Sequence, residues 1–227
     1  MSDEPTNFLY PFIDAQDSQD SQDDARKSLL ADLAASAQAK AAESLALRRS
    51  TLEANTDLLD RAATEMARRF AAGGRMFTFG NGGSCTDSTT LAGLFARPPI
   101  GRPLPAWSLT ADQAIVTALG NDVGFELVFA RQLIARAKAG DIAVAMSTSG
   151  NSPNLLAALA EAHSRGLYAI GFAGYDGGAF ADNPNVAACF IVRSQSVHRI
   201  QESQALLGYQ LWLTTHERSG DHGLGAA

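Results

Sequence analysis

The feature that most constrains this chain is a series of five short apolar runs, each separated from the next by a stretch with helical periodicity. The runs are nearly continuous rather than alternating, which is typical of strands buried on both faces of a parallel sheet. Right-handed crossovers between such strands place helices on both faces. The sequence therefore predicts an α/β fold with a doubly wound, five-stranded parallel sheet. The predicted strands span residues 76–79, 106–109, 142–146, 168–172 and 188–192.

Two helical stretches precede the first predicted strand. Residues 24–49 and 53–72 are rich in Ala, Leu and Glu, and the glycines Gly73 and Gly74 end the second stretch. A leading amphipathic helix has little core to cover alone, so this pattern predicts a homodimer or homotetramer interface. The chain is then divided into an acidic disordered tail (1–23), N-terminal helices (24–72), a ligand-binding core (73–219) and a C-terminal tail (220–227).

The charge of the chain is concentrated at its N-terminus. The net charge is -6, yet residues 1–24 hold seven acidic residues and no Lys or Arg, which leaves 17 acidic and 18 basic residues for the remainder. A nearly neutral body argues against direct nucleic-acid binding. Within the acidic tail, residues 8–13 form a compact apolar cluster. This cluster either docks on a protein partner or a neighbouring subunit, or is a loosely held terminal segment.

Several classes of protein are excluded by what the sequence lacks. It contains no uninterrupted apolar run of about 18 residues and no signal-peptide pattern, so we expect a cytoplasmic protein that does not insert into membranes. Its two cysteines, Cys85 and Cys189, are too few for a disulfide framework. The glycine-rich turn after the first predicted strand has neither a dinucleotide fingerprint nor a Walker lysine, and no cofactor is expected.

Ligands of doubly wound sheets bind beyond the carboxyl ends of the strands, so the loops there carry the functional information. The first such loop contains Asn81, Gly82, Gly83 and Ser84, directly before a helix that opens near Cys85. Glycines allow the backbone to approach a ligand closely, and a helix N-terminus favours an anion. The same glycines are also compatible with a simple strand-to-helix turn.

The loop after the third predicted strand gives the strongest indication of a ligand. It contains four hydroxyl side chains, from Ser147, Thr148, Ser149 and Ser152, at the start of a helix. Ser152 is placed to cap that helix and Pro153 suits its first position. The other three hydroxyls have no such structural role, and hydroxyls with backbone N–H groups can hold a phosphate without Lys or Arg. We call residues 147–152 the phosphate cradle.

Two further polar pairs follow predicted elements. Asn121 and Asp122 come after a short helix, and Gln201 and Glu202 lie at the start of the final helix. Each pair is suited to sugar hydroxyls, although a helix cap or a solvated helix face would explain either pair taken alone.

Taken together, these strings resemble the phosphoheptose isomerase family of SIS domains. The resemblance covers residues 50–217 and rests on GNGGS (80–84), GND (120–122), STSGNS (147–152), GYDGG (174–178) and RIQE (199–202). The chain is also similar to the related DnaA initiator-associating protein branch, whose members are known as adaptors. The resemblance implies an SIS fold that binds a phosphorylated sugar.

Every residue that the family uses to hold the sugar phosphate has a match in this chain. The implied ligand-binding residues are Asn81, Gly82, Gly83, Ser84, Asn121, Asp122, Ser147, Thr148, Ser149, Ser152 and Gln201.

The groups that the resemblance assigns to metal binding and proton transfer are replaced. Family members have a His and a Glu four residues apart on the second helix, where this chain has Thr90 and Leu94. They also have two histidines on the final helix, where this chain has Gln204 and Tyr209. Aldose–ketose isomerisation needs a proton to move between two carbons, so we expect no metal and a sensor or adaptor role.

An active sedoheptulose 7-phosphate isomerase is the alternative, because other groups could take over proton transfer. His198 and Glu202 are the weak candidates for such catalytic residues, since both flank Gln201.

Overall fold

The computed structural model describes residues 19–220, with a five-stranded sheet, six α-helices and two short 3₁₀ helices in this part of the chain. The strands are β1 (Met76–Gly80), β2 (Ala106–Ser108), β3 (Ile142–Met146), β4 (Tyr168–Gly174) and β5 (Ala188–Val192). The helices are α1 (Gln19–Ala71), α2 (Gly83–Ala96), α3 (Gln113–Asp122), α4 (Val128–Arg136), α5 (Pro153–Ser164) and α6 (Val197–Arg218).

All strand pairs in the sheet are parallel, and the strand order is β2-β1-β3-β4-β5. The chain therefore winds outward in both directions from the β1–β3 pair, which makes that pair the point where the crossovers reverse direction. The predicted α/β fold with a doubly wound five-stranded sheet is confirmed.

The sheet is covered on both faces. Strand β3 is fully buried, and its side chains alternate between two cores: Val144 belongs to the core on one face and Ala145 to the core on the other. The first core is closed by α2, α6 and the second half of α1, and the second by α4 and α5. This double coverage explains why the strands read as continuous apolar runs.

The prediction of two N-terminal helices is wrong, because α1 is one continuous helix of 53 residues. Hydroxyl side chains at the expected break and just after it bond to carbonyls within the helix: Ser50 Oγ donates to the carbonyl of Leu47, and Thr56 Oγ1 donates to that of Leu52. Residues 19–23, expected to be disordered, also belong to this helix. The apolar cluster at residues 8–13 lies outside the described residues.

The chain divides into two compact units between Leu45 and Ala46, inside α1. In the first unit, Leu29, Leu30 and Leu33 are all more than half exposed. A run of exposed leucines on one helix is costly unless another surface covers it. Self-association through this segment stays a prediction.

None of the described helices is long and apolar enough to cross a membrane.

Candidate functional site

The loops after β1 and β3 lie side by side because these strands are neighbours in register. Gly80, the last residue of β1, pairs with Met146, the last residue of β3. The glycine-rich turn and the phosphate cradle therefore start from adjacent points on the carboxyl edge of the sheet. This edge holds the first two loops that the sequence singled out.

The cradle is organised by its own hydroxyls. Ser147 is buried, and its Oγ accepts a hydrogen bond from the backbone N–H of Gly150 at 3.0 Å. Ser149 Oγ accepts from the N–H of Asn151 at 3.3 Å. Both hydroxyls act as acceptors here, so each keeps its own proton free to donate to a ligand.

Ser152 differs from its predicted role. It occupies the N-cap position of α5 with Pro153 as the first helical residue, as expected, but its side chain makes no capping hydrogen bond. The predicted structural use of this hydroxyl is therefore wrong. The cradle offers Ser152 Oγ to a ligand, together with the N-terminus of α5.

The loop after β4 packs tightly against the cradle. Gly150 has a φ of +67°, and a Cβ atom placed on it would lie 2.1 Å from the carbonyl oxygen of Gly177. Asn151 strengthens the contact, because its Oδ1 accepts from the N–H of Ala179 at 2.8 Å. The cradle is therefore held in shape by a second loop that approaches it backbone to backbone.

A pair of amides joins the first loop to α5. Asn81 Nδ2 donates to Asn154 Oδ1, and Asn154 Nδ2 donates to Asn81 Oδ1, each at 2.9 Å. Asn154 is only 2% exposed. No sequence pattern singles out Asn154. The pair commits the Oδ1 of Asn81 to the protein and leaves one of its N–H groups for a ligand.

Gln201 reaches across from α6 to the opening of α2. Its Nε2 donates to Asp87 Oδ2 at 2.8 Å, and a Cβ on Gly83 would lie 2.4 Å from this nitrogen. Gly83 is therefore a glycine because Gln201 occupies the space of a side chain. Burial raises the pKa of the Asp87 carboxyl, and the hydrogen bond from Gln201 opposes this shift.

Replacing Asp87 by Asn should raise the melting temperature near neutral pH. A raised folded-state pKa means that the ionised carboxylate disfavours folding, so stability falls as pH rises through that pKa. Asn removes the charge and keeps an oxygen to accept from Gln201. Thermal unfolding of both proteins should show a difference at pH 7 that shrinks below pH 3.8, the ordinary pKa of Asp. A lower melting temperature for the variant at pH 7 would contradict this account.

The remaining candidates are all exposed. Asn121 and Asp122 are the last two residues of α3 rather than part of a loop after it; both are exposed, and Asn121 Nδ2 donates to Asp122 Oδ1. His198 is exposed on α6. Glu202 is exposed as well and forms a salt bridge with Arg48 at 2.8 Å.

A small cavity lies between α2 and α6 at the end of β3. Its volume is about 60 Å³, and we call it the α2–α6 cavity. It is lined by Asp87, Thr90, Leu91, Leu94, Met146, Gln204, Ala205, Gly208 and Tyr209. The four positions at which the sequence departs from the isomerase pattern, Thr90, Leu94, Gln204 and Tyr209, are thus brought to one place by the fold.

The residues at this place do not fit a zinc ion. Zinc sites in proteins are built from imidazole, thiolate and carboxylate ligands, and Thr90, Leu94, Gln204 and Tyr209 supply none of these. Within residues 19–220, no group of three or more His, Cys, Asp or Glu side chains is arranged to hold a metal ion.

Comparison with known protein families matches residues 41–174 to the SIS domain. Among curated proteins, the chain is similar to the phosphoheptose isomerase of Solidesulfovibrio magneticus, with 42% identity over 175 residues that cover 74% of this chain and 82% of that protein. It is also similar to the phosphoheptose isomerase of Aquifex aeolicus, with 44% identity over 143 residues that cover 61% and 73% of the two chains.

Solved structures agree with this relationship. The fold is similar to a phosphoheptose isomerase from Neisseria gonorrhoeae, with a TM-score of 0.75 and 32% identity, over 82% of this chain and 99% of that one. A phosphoheptose isomerase from Francisella tularensis gives a TM-score of 0.73 and 30% identity, over 80% and 97% of the two chains.

Proposed function

Since the chain belongs to the SIS-domain family of phosphoheptose isomerases, we propose that it binds a phosphorylated sugar but does not carry out metal-dependent isomerisation. One observation carries this proposal: the cradle keeps its hydroxyls, while the four replaced positions meet in one cavity that holds no metal-binding set. In this proposal, binding depends on the cradle and catalysis on the replaced positions in the cavity.

The cradle would hold the phosphate through neutral donors. The hydroxyls of Ser147, Thr148, Ser149 and Ser152 belong to the loop that leads into α5, and the first backbone N–H groups of a helix lack acceptors within it. The helix dipole adds a partial positive charge at the same point. Gln201 and the remaining N–H group of Asn81 would then contact the sugar.

Isomerisation by the family's route would lack its proton carriers. Moving a proton between two carbons of the sugar requires a side chain that gains and loses a proton near the working pH. Thr90, Leu94 and Gln204 have no such group. Binding of a sugar phosphate without conversion suits a sensor or adaptor. The sequence resemblance to the DnaA initiator-associating branch also suggests an adaptor role.

An active isomerase is the second candidate, and one observation favours it. Asp87 borders the α2–α6 cavity, bonds to Gln201 and has a pKa raised by burial. A carboxyl of raised pKa beside a sugar-binding residue is a common form of catalytic acid or base. Asp87, with His198 or Glu202 as the second group, would form an acid–base pair.

One experiment distinguishes a binding protein without catalysis from an active isomerase. The purified full-length protein is incubated with sedoheptulose 7-phosphate, with and without added zinc. We expect calorimetry to detect binding and product analysis to detect no aldose in either condition. Absence of binding across a panel of sugar phosphates would overturn the binding half of the proposal.

Isomerisation of the sugar phosphate would overturn the proposed absence of catalysis, provided that residues of this site carry it out. Asp87→Asn, His198→Ala and Glu202→Gln identify the responsible group, and Arg136→Gln, at the opposite end of the sheet, is the control. Loss of turnover in any of the first three, with turnover kept in the control, would establish the active isomerase. The cytoplasmic location, the homo-oligomer and a partner for residues 1–23 stay predictions of the sequence.

A further inference from the structure

Asn154 is a buried polar residue that is not among the implied ligand-binding residues. Only 2% of it is exposed, and it lies in the first turn of α5 directly after Pro153. A buried amide needs hydrogen-bond partners, because leaving its polar atoms unpaired costs free energy. The side chain of Asn154 bonds to one residue, Asn81, with both its donor and its acceptor. Its partner is therefore a residue of the proposed binding site.

The two amides fix each other's orientation. Asn81 Nδ2 donates to Asn154 Oδ1, and Asn81 Oδ1 accepts from Asn154 Nδ2, each at 2.9 Å. Turning over either amide alone would bring oxygen to oxygen and NH₂ to NH₂. Asn154 is buried on a helix, whereas Asn81 is partly exposed between β1 and α2. The orientation of the Asn81 side chain therefore depends on Asn154.

The amide pair lies next to the phosphate cradle along the chain. Ser152, the last residue of the cradle, is two positions before Asn154. On the other side, Asn81 follows Gly80, which pairs with Met146 directly before the cradle begins. The pair thus links the loop after β1 to the helix that follows the cradle.

A carboxylate at position 154 could not replace the amide. An ionised Asp accepts hydrogen bonds but donates none, so it would make one of the two bonds to Asn81 and lose the other. Carboxylates are otherwise favoured in the first turn of a helix, where they interact with its dipole. A negative charge there would also repel a phosphate bound at the same helix N-terminus. A neutral amide holds Asn81 without that repulsion.

We propose that Asn154 is a positioning residue: it holds Asn81 so that the remaining N–H group of Asn81 meets the sugar, and the site thereby prefers a sugar phosphate to phosphate alone. This inference rests on the proposed binding of a sugar phosphate. The phosphate itself depends on the cradle and on backbone N–H groups of α5, which a change of the Asn154 side chain leaves in place. Contacts to the sugar and to the phosphate therefore respond differently to this residue.

Calorimetry on the full-length protein separates the two responses. We expect Asn154→Ala to weaken binding of sedoheptulose 7-phosphate about tenfold, because Asn81 no longer offers a positioned hydrogen bond. Inorganic phosphate, measured by its competition with the sugar phosphate, should change in affinity by less than about twofold, because the cradle and the helix N-terminus hold it. Similar losses for both ligands would mean that Asn154 shapes the cradle instead. That result, or an unchanged affinity for both, overturns the positioning role.

A double-mutant cycle shows whether Asn154 acts through Asn81. Asn81→Ala alone should weaken binding of sedoheptulose 7-phosphate about tenfold, and adding Asn154→Ala should cause no further loss, because two residues that serve one contact are not additive. Losses that multiply to about a hundredfold in the double variant would show independent roles and overturn the assignment.

Asn55→Ala is the matched control, because it also removes a buried amide. Asn55 is 6% exposed on α1, outside the loops of the site, and its Nδ2 donates to the carbonyl of Thr51 at 2.8 Å. Its replacement should lower stability and keep both affinities. An equal loss of sugar-phosphate affinity in this control would trace the effect to stability and overturn the positioning role.

The wild-type protein separates failure of this inference from failure of the proposed function. If sedoheptulose 7-phosphate binds no more tightly than inorganic phosphate, Asn81 makes no useful contact with the sugar, and the positioning role fails while phosphate binding stands. If neither ligand binds, the cradle does not hold phosphate, and the proposed function fails together with the positioning role.

Discussion

Gly150→Ala should cost about 3 kcal/mol or more of unfolding free energy and abolish sugar-phosphate binding. Two effects add at this position. The φ of +67° lies in the left-handed region, where an L-residue with a side chain costs about 1–2 kcal/mol. The new methyl would also lie 2.1 Å from the Gly177 oxygen, so either the cradle or the loop after β4 must move. Urea unfolding and calorimetry with a sugar phosphate measure the two losses.

Gly73→Ala provides the matched control. Gly73 has a φ of +81°, and nothing lies within 4 Å of where its Cβ would be. This substitution carries the backbone cost of about 1–2 kcal/mol without the collision, and it is far from the cradle, so binding should persist. If Gly150→Ala bound the ligand as well as Gly73→Ala does, the close approach of the two loops would not be what shapes the cradle.

Restoring three of the replaced side chains should create a zinc site. The variant carries Thr90→His, Leu94→Glu and Tyr209→His, while Gln204 is kept because it holds the Ser147 carbonyl. Positions 90 and 94 are one turn apart on α2, and position 209 faces them across the cavity. Two imidazoles and a carboxylate are three protein ligands, the number found in open zinc sites. We expect zinc at 100 times its Kd to stabilise this variant by about 2.7 kcal/mol.

The control for the zinc variant moves one histidine out of the cavity. In Thr90→His/Leu94→Glu/Gln210→His, the third ligand is rotated by about 100° around α6 and points away from the other two. This variant and the wild-type protein should show no zinc-dependent rise in melting temperature. A similar rise in the control would mean that zinc binds elsewhere, and no rise in the restored variant would mean that the positions do not converge.

The strands and the start of α5 could be predicted from the sequence because both depend on local signals. Residues 142–146 are apolar throughout, and the structure has β3 at these same residues. Pro153 marks the first turn of α5 in the sequence and occupies it in the structure. Such features are recognised from a local run of apolar residues and from the fixed φ of proline, and neither signal requires knowledge of distant parts of the chain.

The continuity of α1 and the roles of the serines could not be predicted. Ser50 and Thr56 are residues that favour caps, yet each satisfies its hydroxyl on a carbonyl of the preceding helical turn and leaves α1 unbroken. Ser152 holds the N-cap position but makes no cap bond, while Ser147 and Ser149 bond to backbone N–H groups. Which hydroxyl finds which partner depends on loop geometry that residue types do not encode.

Contacts between distant residues were also beyond the sequence. Asn81 and Asn154 are 73 positions apart, and nothing in the first turn of α5 marks Asn154 as the partner. The convergence of Thr90 and Leu94 with Tyr209 is a property of how α2 packs against α6. The resemblance identified these positions one by one, but only the fold shows that their replacements share one cavity.

The composition of the cradle bears on how binding would respond to acid. Residues 147–152 are serine, threonine, glycine and asparagine, none of which changes charge between pH 4 and pH 9. A phosphate monoester, in contrast, takes up its second proton near pH 6. Titration of cradle residues therefore does not change the affinity between pH 4 and pH 9. If a plot of affinity against pH bends near pH 6, the bend shows which ionic form of the phosphate these neutral donors bind.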